Sequence, residues 1–383
     1  MNPCPALWRR AVLCARALLL SVFAQAASAG DIVVAQVAPF SGGLAPYSKE
    51  LSLGASVMFD TINARGGIGG SRIRFVTRDD RMDAPSTLAL YADLARTEKP
   101  VAFLYPIGPV AIAALIGQSV PQKLEIPIIG TVPAMHKLRK PVNPYVFNIG
   151  MGDDAELVKI VEHIATRGIG SIGVVYWNEP SALEAVAFIE AQANSRKVQV
   201  TLKAPVTAGT DQVEPAVALV LTKAPGALIA ILPVHATGAM VRQLRQVSNS
   251  TPVYGPSYTE SSFLAKVAGG DLARGVAVSQ VVPNPFSGQT PLAREYQDAM
   301  RRHSPPGTRF STLSMEGYIA AKILVQAMLR AGPVVTGPSV KAALDKMQSV
   351  DLGGLVMSYD PQQHVALRFL DIGVVSVGGR LLY

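Results

Sequence analysis

The sequence predicts an α/β protein of two doubly wound lobes. Three observations lead there. Short, unbroken runs of β-branched and apolar residues suit strands covered on both faces. Segments with apolar residues at helical spacing separate those runs, and the whole alternation occurs twice along the chain. With 383 residues and 49% of them hydrophobic, there is material for two sizeable cores.

The first series opens with "DIVVAQVAPF", an apolar run that Pro39 ends, so it reads as a buried parallel strand. After the turn-rich "SGGLAPYS", Leu51, Gly54, Ala55, Met58, Phe59 and Ile62 fall on one stripe of a helix. "ARGGIGGS" breaks that helix with four glycines before the strand "RIRFVTRDD". A helix near residues 86–95, a strand at 101–104, a helix from about Val110 and the strand "IPIIG" continue the alternation.

The second series begins near residue 150. Asp153 with Glu156, and Ser181 with Glu184, have the spacing of reciprocal helix caps, and the strand "SIGVVYW" lies between them. A helix near 211–222, the strand "ALIAILP", a helix at 237–247 and the strand "GVAVSQVV" follow. The proline-rich "VVPNPFSGQTP" leads to helices near 292–303 and 313–330, and the last part pairs strands around a turn at Asp360, Pro361 and Gln362. No residue-level repeat relates the two series. Lobes joined by several crossings leave a cleft, and small ligands usually sit there or at the carboxyl ends of parallel strands.

The N-terminus reads as a secretory signal: basic "WRR", an apolar run at 17–24, then small Ala27 and Ala29 ahead of Gly30. Cleavage is expected after Ala29. Arg16 leaves the apolar run far short of the roughly 20 residues of a membrane span. Both cysteines, Cys4 and Cys14, lie in this segment, so the mature chain is expected to have neither a disulfide nor a thiol nucleophile. Arg9, Arg10 and Arg16 account for three of the eight net positive charges. The rest are scattered, without the basic stripe that nucleic acid requires.

Catalytic signatures are missing. There is no phosphate loop, no His-Glu-x-x-His helix and no Gly-x-Ser-x-Gly elbow. "GGIGG" follows a helix and precedes a strand, the reverse of a dinucleotide fingerprint. His136, His163, His235, His303 and His364 lack metal-ligand spacing and are expected on surfaces or helices, so no metal and no cofactor are predicted. Asp79 and Asp80, adjacent at a strand end, point to opposite faces and suit loop or capping roles. Ser257, Glu260 and His235 are the one trio worth testing for an exported enzyme, and a non-enzyme is expected.

What remains suits binding. Loops at strand ends carry Tyr47, Tyr105, Gly108, Thr131, Trp177, Asn178, Ser181, Ser257 and Tyr258. Aromatic walls with a few hydroxyls and amides are the usual furniture of small-molecule sites. Each has a plainer alternative: Ser181 as a helix cap, Trp177 as a hydrophobic edge, Tyr105 as core.

The ordered set "APFSG", "INARGGIGG", "DD" after the second strand, "PVNPYVFNIG" and "SMEGYIAAKILVQAMLRAG" resembles the branched-chain amino-acid-binding family of periplasmic solute-binding proteins of ABC transporters. The similarity runs through essentially all of 31–383. It implies the type I periplasmic binding fold, with two Rossmann-like lobes at 31–148 plus 283–352 and at 149–282 plus 353–383, joined by three hinge crossings. It also implies closure around an amino acid or a related small carboxylate or amide, monomeric behaviour and docking to an ABC permease. Where the family places Ser or Thr for a ligand carboxylate, this chain has Pro109, Val110 and Ala111, and in the next loop Pro133, Ala134 and Met135. Proline also removes a main-chain donor. The acid that holds the ammonium in leucine binders is replaced by Ser257, so altered specificity is expected. A periplasmic sensor module of a signalling system is the alternative that the same resemblance leaves open.

Overall fold

The computed structural model describes residues 30–383; the proposed signal segment, with Trp8 and both cysteines, lies outside the described residues. Strand β1 (Ile32–Ala38) is buried along its whole length, as its unbroken apolar run requires. It is flanked on one side by β2 (Ile73–Asp79), and on the other by β3 (Ala102–Leu104), β4 (Ile128–Ile129) and β5 (Val146–Phe147). All four pairings are parallel. On β2, the edge strand, exposed Arg74 and Arg78 point outward, and Arg74 pairs with Glu98 at 2.6 Å. The crossover helices are α1 (Ala45–Asn63), α2 (Ala84–Thr97) and α3 (Pro109–Gly117), followed by the short α4 (Val120–Leu124) and α5 (His136–Arg139).

The second sheet runs β14-β13-β10-β9-β8-β6-β7. Its parallel body consists of β6 (Ser171–Trp177), β7 (Gln199–Val206), β8 (Ala227–Ile231), β9 (Val253–Gly255) and β10 (Ala277–Gln280). The C-terminal strands β13 (Asp371–Val375) and β14 (Leu381–Leu382) close one edge antiparallel. Between them run α6 (Asp153–Thr166), α7 (Pro180–Ser195), α8 (Glu214–Lys223), α9 (Val234–Gln246) and α10 (Ser261–Ala268). On one face, Leu157, Ile160 and Ile164 of α6 and Val186 and Ile189 of α7 pack on Ile172, Val174 and Ile229.

The chain then returns to the first sheet. Helices α11 (Pro291–His303) and α12 (Thr312–Arg330) pack beside α1, α13 (Gly337–Asp345) packs on α12, and a two-stranded ribbon, β11 (Val350–Asp351) with β12 (Val356–Met357), precedes β13. Three passages therefore link the two sheets: 148–152, 281–290 and 358–370. This is the type I periplasmic binding architecture, two parallel-dominated α/β lobes with three crossings.

The α1–α12 contact is backbone against backbone. A Cβ on Gly54 would lie 1.8 Å from Ser314 O, and one on Gly317 would lie 2.1 Å from Leu51 O. Below it, Glu50 accepts from Ser311 Oγ (2.6 Å), the residue that also caps α12.

Two sequence expectations change. Neither Asp153 with Glu156 nor Ser181 with Glu184 forms a reciprocal cap: the caps are Gly152 and Glu179, with no side-chain capping bond at either. His364 is buried rather than at the surface, its ring stacked on Phe147 with centroids 4.5 Å apart and Nδ1 3.1 Å from Val146 O.

Candidate functional site

In each sheet the strand order reverses once, beside β1 and β3 in the first and beside β6 and β8 in the second. Loops leaving strands at such a reversal splay apart and open a crevice at the carboxyl ends. The loops after β1, β3, β6 and β8 line a single cavity of about 580 Å³. Its walls are mainly apolar: Leu44, Ile107, Val132, Leu157, Phe188 and Ile231 are among them.

Five of the residues singled out from the sequence meet here: Tyr47, Gly108, Trp177, Ser181 and Tyr258. Tyr47, at the start of α1, donates its hydroxyl to Tyr258 O (2.9 Å) and accepts from Val234 N (3.2 Å), tying the first lobe to two loops of the second. Burial pushes that hydroxyl's pKa up. Trp177 is fixed by a bond from Nε1 to Thr210 O (3.0 Å) and meets the His235 ring edge-on at 5.6 Å. Ser181 Oγ donates to Glu179 Oε1 (2.7 Å).

The other four lie elsewhere. Tyr105 is buried in the first lobe, its ring over Gly130, where a Cβ would come within 2.4 Å of it; its hydroxyl reaches Glu316 Oε1 at 3.1 Å. Asn178 is exposed and outside the cavity lining, with its amide bonded to Val206 O (2.8 Å). Thr131 and Ser257 line a second, smaller chamber of about 30 Å³. Val132, Pro133, Asp153 and Tyr258 border both spaces, so the chamber adjoins the cavity.

That chamber holds groups the sequence reading assigned to caps or passed over. Around it stand Arg139, Asp153, Glu156 and Glu316, from α5, α6 and α12. Asp153 Oδ1 accepts from Ala134 N (2.9 Å), while Arg139 Nη1 donates to Gly150 O (2.9 Å) and leaves its buried Nε without a partner. Glu156 accepts from Ser257 N (2.7 Å), Ser257 Oγ (3.0 Å) and Ser279 Oγ. Three carboxylates thus share one guanidinium. Burial raises all three pKa values: Asp153 to about 6 against the opposing charge of Arg139, Glu316 to about 7, and Glu156 to about 8, where the neighbouring Asp153 adds to the effect. Burial also lowers the pKa of Arg139.

The trio Ser257, Glu260 and His235 does not form a relay. Ser257 is bonded to Glu156, Glu260 caps α10 through Phe263 N (2.8 Å), and His235 Nδ1 is buried without a partner. Asp79 and Asp80 serve loops, taking Phe40 N (2.9 Å) and Thr87 Oγ1 (2.8 Å) respectively. Among the described residues no cluster of His, Cys, Asp and Glu is arranged to hold a metal ion, and no helix is long and apolar enough to cross a membrane.

Solved structures share this architecture. A substrate-binding periplasmic protein from Ralstonia solanacearum superposes with a TM-score of 0.86 at 30% identity, over 92% of this chain and 99% of that one. A possible leucine/isoleucine/valine-binding protein from Rhodopirellula baltica gives 0.83 at 24%, over 93% and 96%. A branched-chain amino acid ABC transporter protein from Thermus thermophilus with bound valine gives 0.80 at 19%, over 92% and 94%. The last two speak to fold alone. A curated amino acid binding protein of Pseudomonas aeruginosa is 32% identical over 72 residues, a stretch that spans only 19% of each chain. The sequence model described as periplasmic binding protein matches residues 31–378, and with that span and the two-lobed cleft in view, the chain belongs to the periplasmic binding protein family.

Proposed function

We propose that this protein is the solute-binding component of an ABC importer. In this reading the segment up to Ala29 directs it to the periplasm and is removed. The lobes, 31–148 with 283–352 and 149–282 with 353–383, close as a monomer on an amino acid or a related small solute and present it to the permease. The observation that carries the reading is the cavity of about 580 Å³ between the carboxyl ends of both sheets, at both reversals of strand order. The substrate-binding periplasmic protein of Ralstonia solanacearum, 30% identical over nearly the whole of both chains, supports the solute-binding role, and the curated amino acid binding protein of Pseudomonas aeruginosa supports the solute class. The specificity differs from that of leucine binders, because Pro109 and Pro133 stand in the lining where a carboxylate would need donors.

Trp177 supplies the test, since it is the single tryptophan among the described residues and sits in the cavity wall. Protein stripped of bound solute is titrated with amino acids, amines, acids and amides while tryptophan emission and melting temperature are followed. A solute at 100 times its Kd adds about 2.7 kcal/mol of stability. A coincident emission change and melting shift support the reading. Constant emission and melting across the panel, with no small molecule released from the purified protein, refute it.

A further inference from the structure

The charges and donors around the cavity are unevenly spent. Its two basic side chains already have partners, His136 Nδ1 lying 3.0 Å from Asp154 and Lys137 Nζ 2.8 Å from Glu184. Four lining residues, Pro109, Pro133, Pro233 and Pro256, have no N–H to offer. The amides of Gly108, Val132, Ala134 and Val234 are bonded to Val132 O, Pro106 O, Asp153 Oδ1 and the Tyr47 hydroxyl. Among the lining helices, the first turns of α3, at Val110 and Ala111, and of α7, at Ser181 and Ala182, keep main-chain donors free for a ligand oxygen.

Acceptors are in surplus at the chamber. Asp153 Oδ2 and Glu316 Oε2 have no hydrogen-bond partner among the described residues, and no side-chain cation lies within 4.0 Å of either carboxylate. Arg139 offsets one of the three carboxylates around the chamber. Space for about one water-sized group remains there, about 30 Å³, beside the apolar cavity, with Val132, Pro133, Asp153 and Tyr258 lining both. A primary ammonium has that size and brings three donors. Trp177, Tyr258 and Phe188 in the wall suit an apolar body, and aromatic faces also favour a cation.

We infer that the cavity selects a solute with an apolar body and a protonated amine, the ammonium seated in the adjoining chamber against Asp153 and Glu316. This rests on the solute-binding reading of the same cavity. Within the classes that the sequence leaves open, it makes the ammonium obligatory: a carboxylate can accompany it at the α3 or α7 end but cannot replace it. Asp153 and Glu316 then take the part that Ser257 cannot.

The test compares matched skeletons by isothermal titration on the full protein: isopentylamine, leucine and isovalerate, and phenethylamine, phenylalanine and phenylacetate. Compounds bearing an ammonium should bind, and the two acids should bind at least tenfold more weakly than the amines of the same body. Asp153→Asn should weaken the amines by about thirtyfold or more, the equivalent of losing about 2 kcal/mol from a desolvated charge pair. Glu316→Gln should act in the same direction, and serves if Asp153→Asn does not fold. An acid that binds as tightly as its amine, or an amine affinity held within twofold in a folded Asp153→Asn variant, overturns the inference and leaves solute binding standing. Silence from all six, and from a wider panel, overturns both.

Discussion

Replacing Gly54 by alanine in α1 puts two physical effects in direct opposition. Alanine is the better helix former by about 1 kcal/mol, so propensity alone stabilises the variant. Packing opposes it: the new Cβ would lie 1.8 Å from Ser314 O and 2.7 Å from both Ser314 C and Tyr318 N. Carbon contacts settle near 3.5 Å, so α1 and α12 must part by more than about 1 Å. The atoms in the way are backbone of a buried helix, which no rotamer change can move aside. Overpacking of this kind costs about 3 kcal/mol, the upper end of the usual range. The net expectation is a loss of about 2 kcal/mol, which for a chain of this size lowers the melting temperature by about 3 °C. Calorimetry, backed by urea denaturation, reads it. Gly317→Ala should behave alike, and the double variant should cost less than the sum, because helices already parted by one methyl admit the second more cheaply. An unchanged or higher melting temperature for Gly54→Ala would show that the helices are not held at this distance.

Two further expectations follow from the site. Tyr47→Phe removes the hydroxyl shared by Val234 N and Tyr258 O, leaving a buried amide unsatisfied; it should cost about 1–3 kcal/mol in urea titration, and no loss would mean that the tie between the lobes carries no load. Between about pH 6.5 and 8, stability should fall as pH rises. Glu156 and Glu316 have folded pKa values raised to about 8 and about 7, so the native state holds protons there that the unfolded chain has released, and their ionisation in place is unfavourable. Buried His364 and the partly buried His163 and His235 have pKa values lowered by desolvation and contribute the opposite sign, but only below about 6.5. Glu156→Gln should flatten the slope of melting temperature against pH in that window, and a slope that rises there would overturn the assignment.

The fold was legible because its signals are local. A run such as "IVVAQVA" has no solvent-facing residue to offer, and Pro109, Pro180 and Pro291 mark helix starts where a missing N–H does no harm. The apolar and aromatic part of the site could be read for the same reason, since Trp177 ends β6, Tyr258 lies in the loop after β9 and Tyr47 stands in the first turn of α1, just past β1. The polar chamber could not. Asp153 and Glu156 sit at the spacing of a helix cap, and only the tertiary arrangement brings Arg139 and Glu316 near, the latter from 160 residues further along the chain. Tyr105 shows the same limit. Its aromatic ring at a strand end suggested a ligand wall, yet a φ of +38° at that residue and the space left by Gly130 place it in the core.

The interlock of α1 with α12 also bears on how the chain reaches its native state. Gly54 and Gly317 are separated by more than 260 residues, with the whole parallel body of the second sheet between them. Until α12 arrives, the buried stripe of α1, with Leu51 and Met58 at its centre, has no partner on that side. The first lobe therefore completes its core only after almost the entire polypeptide has been made, and contacts of such long range slow folding. In the exported protein proposed above, a delay of this kind is useful: the N-terminal half cannot lock prematurely into a compact unit.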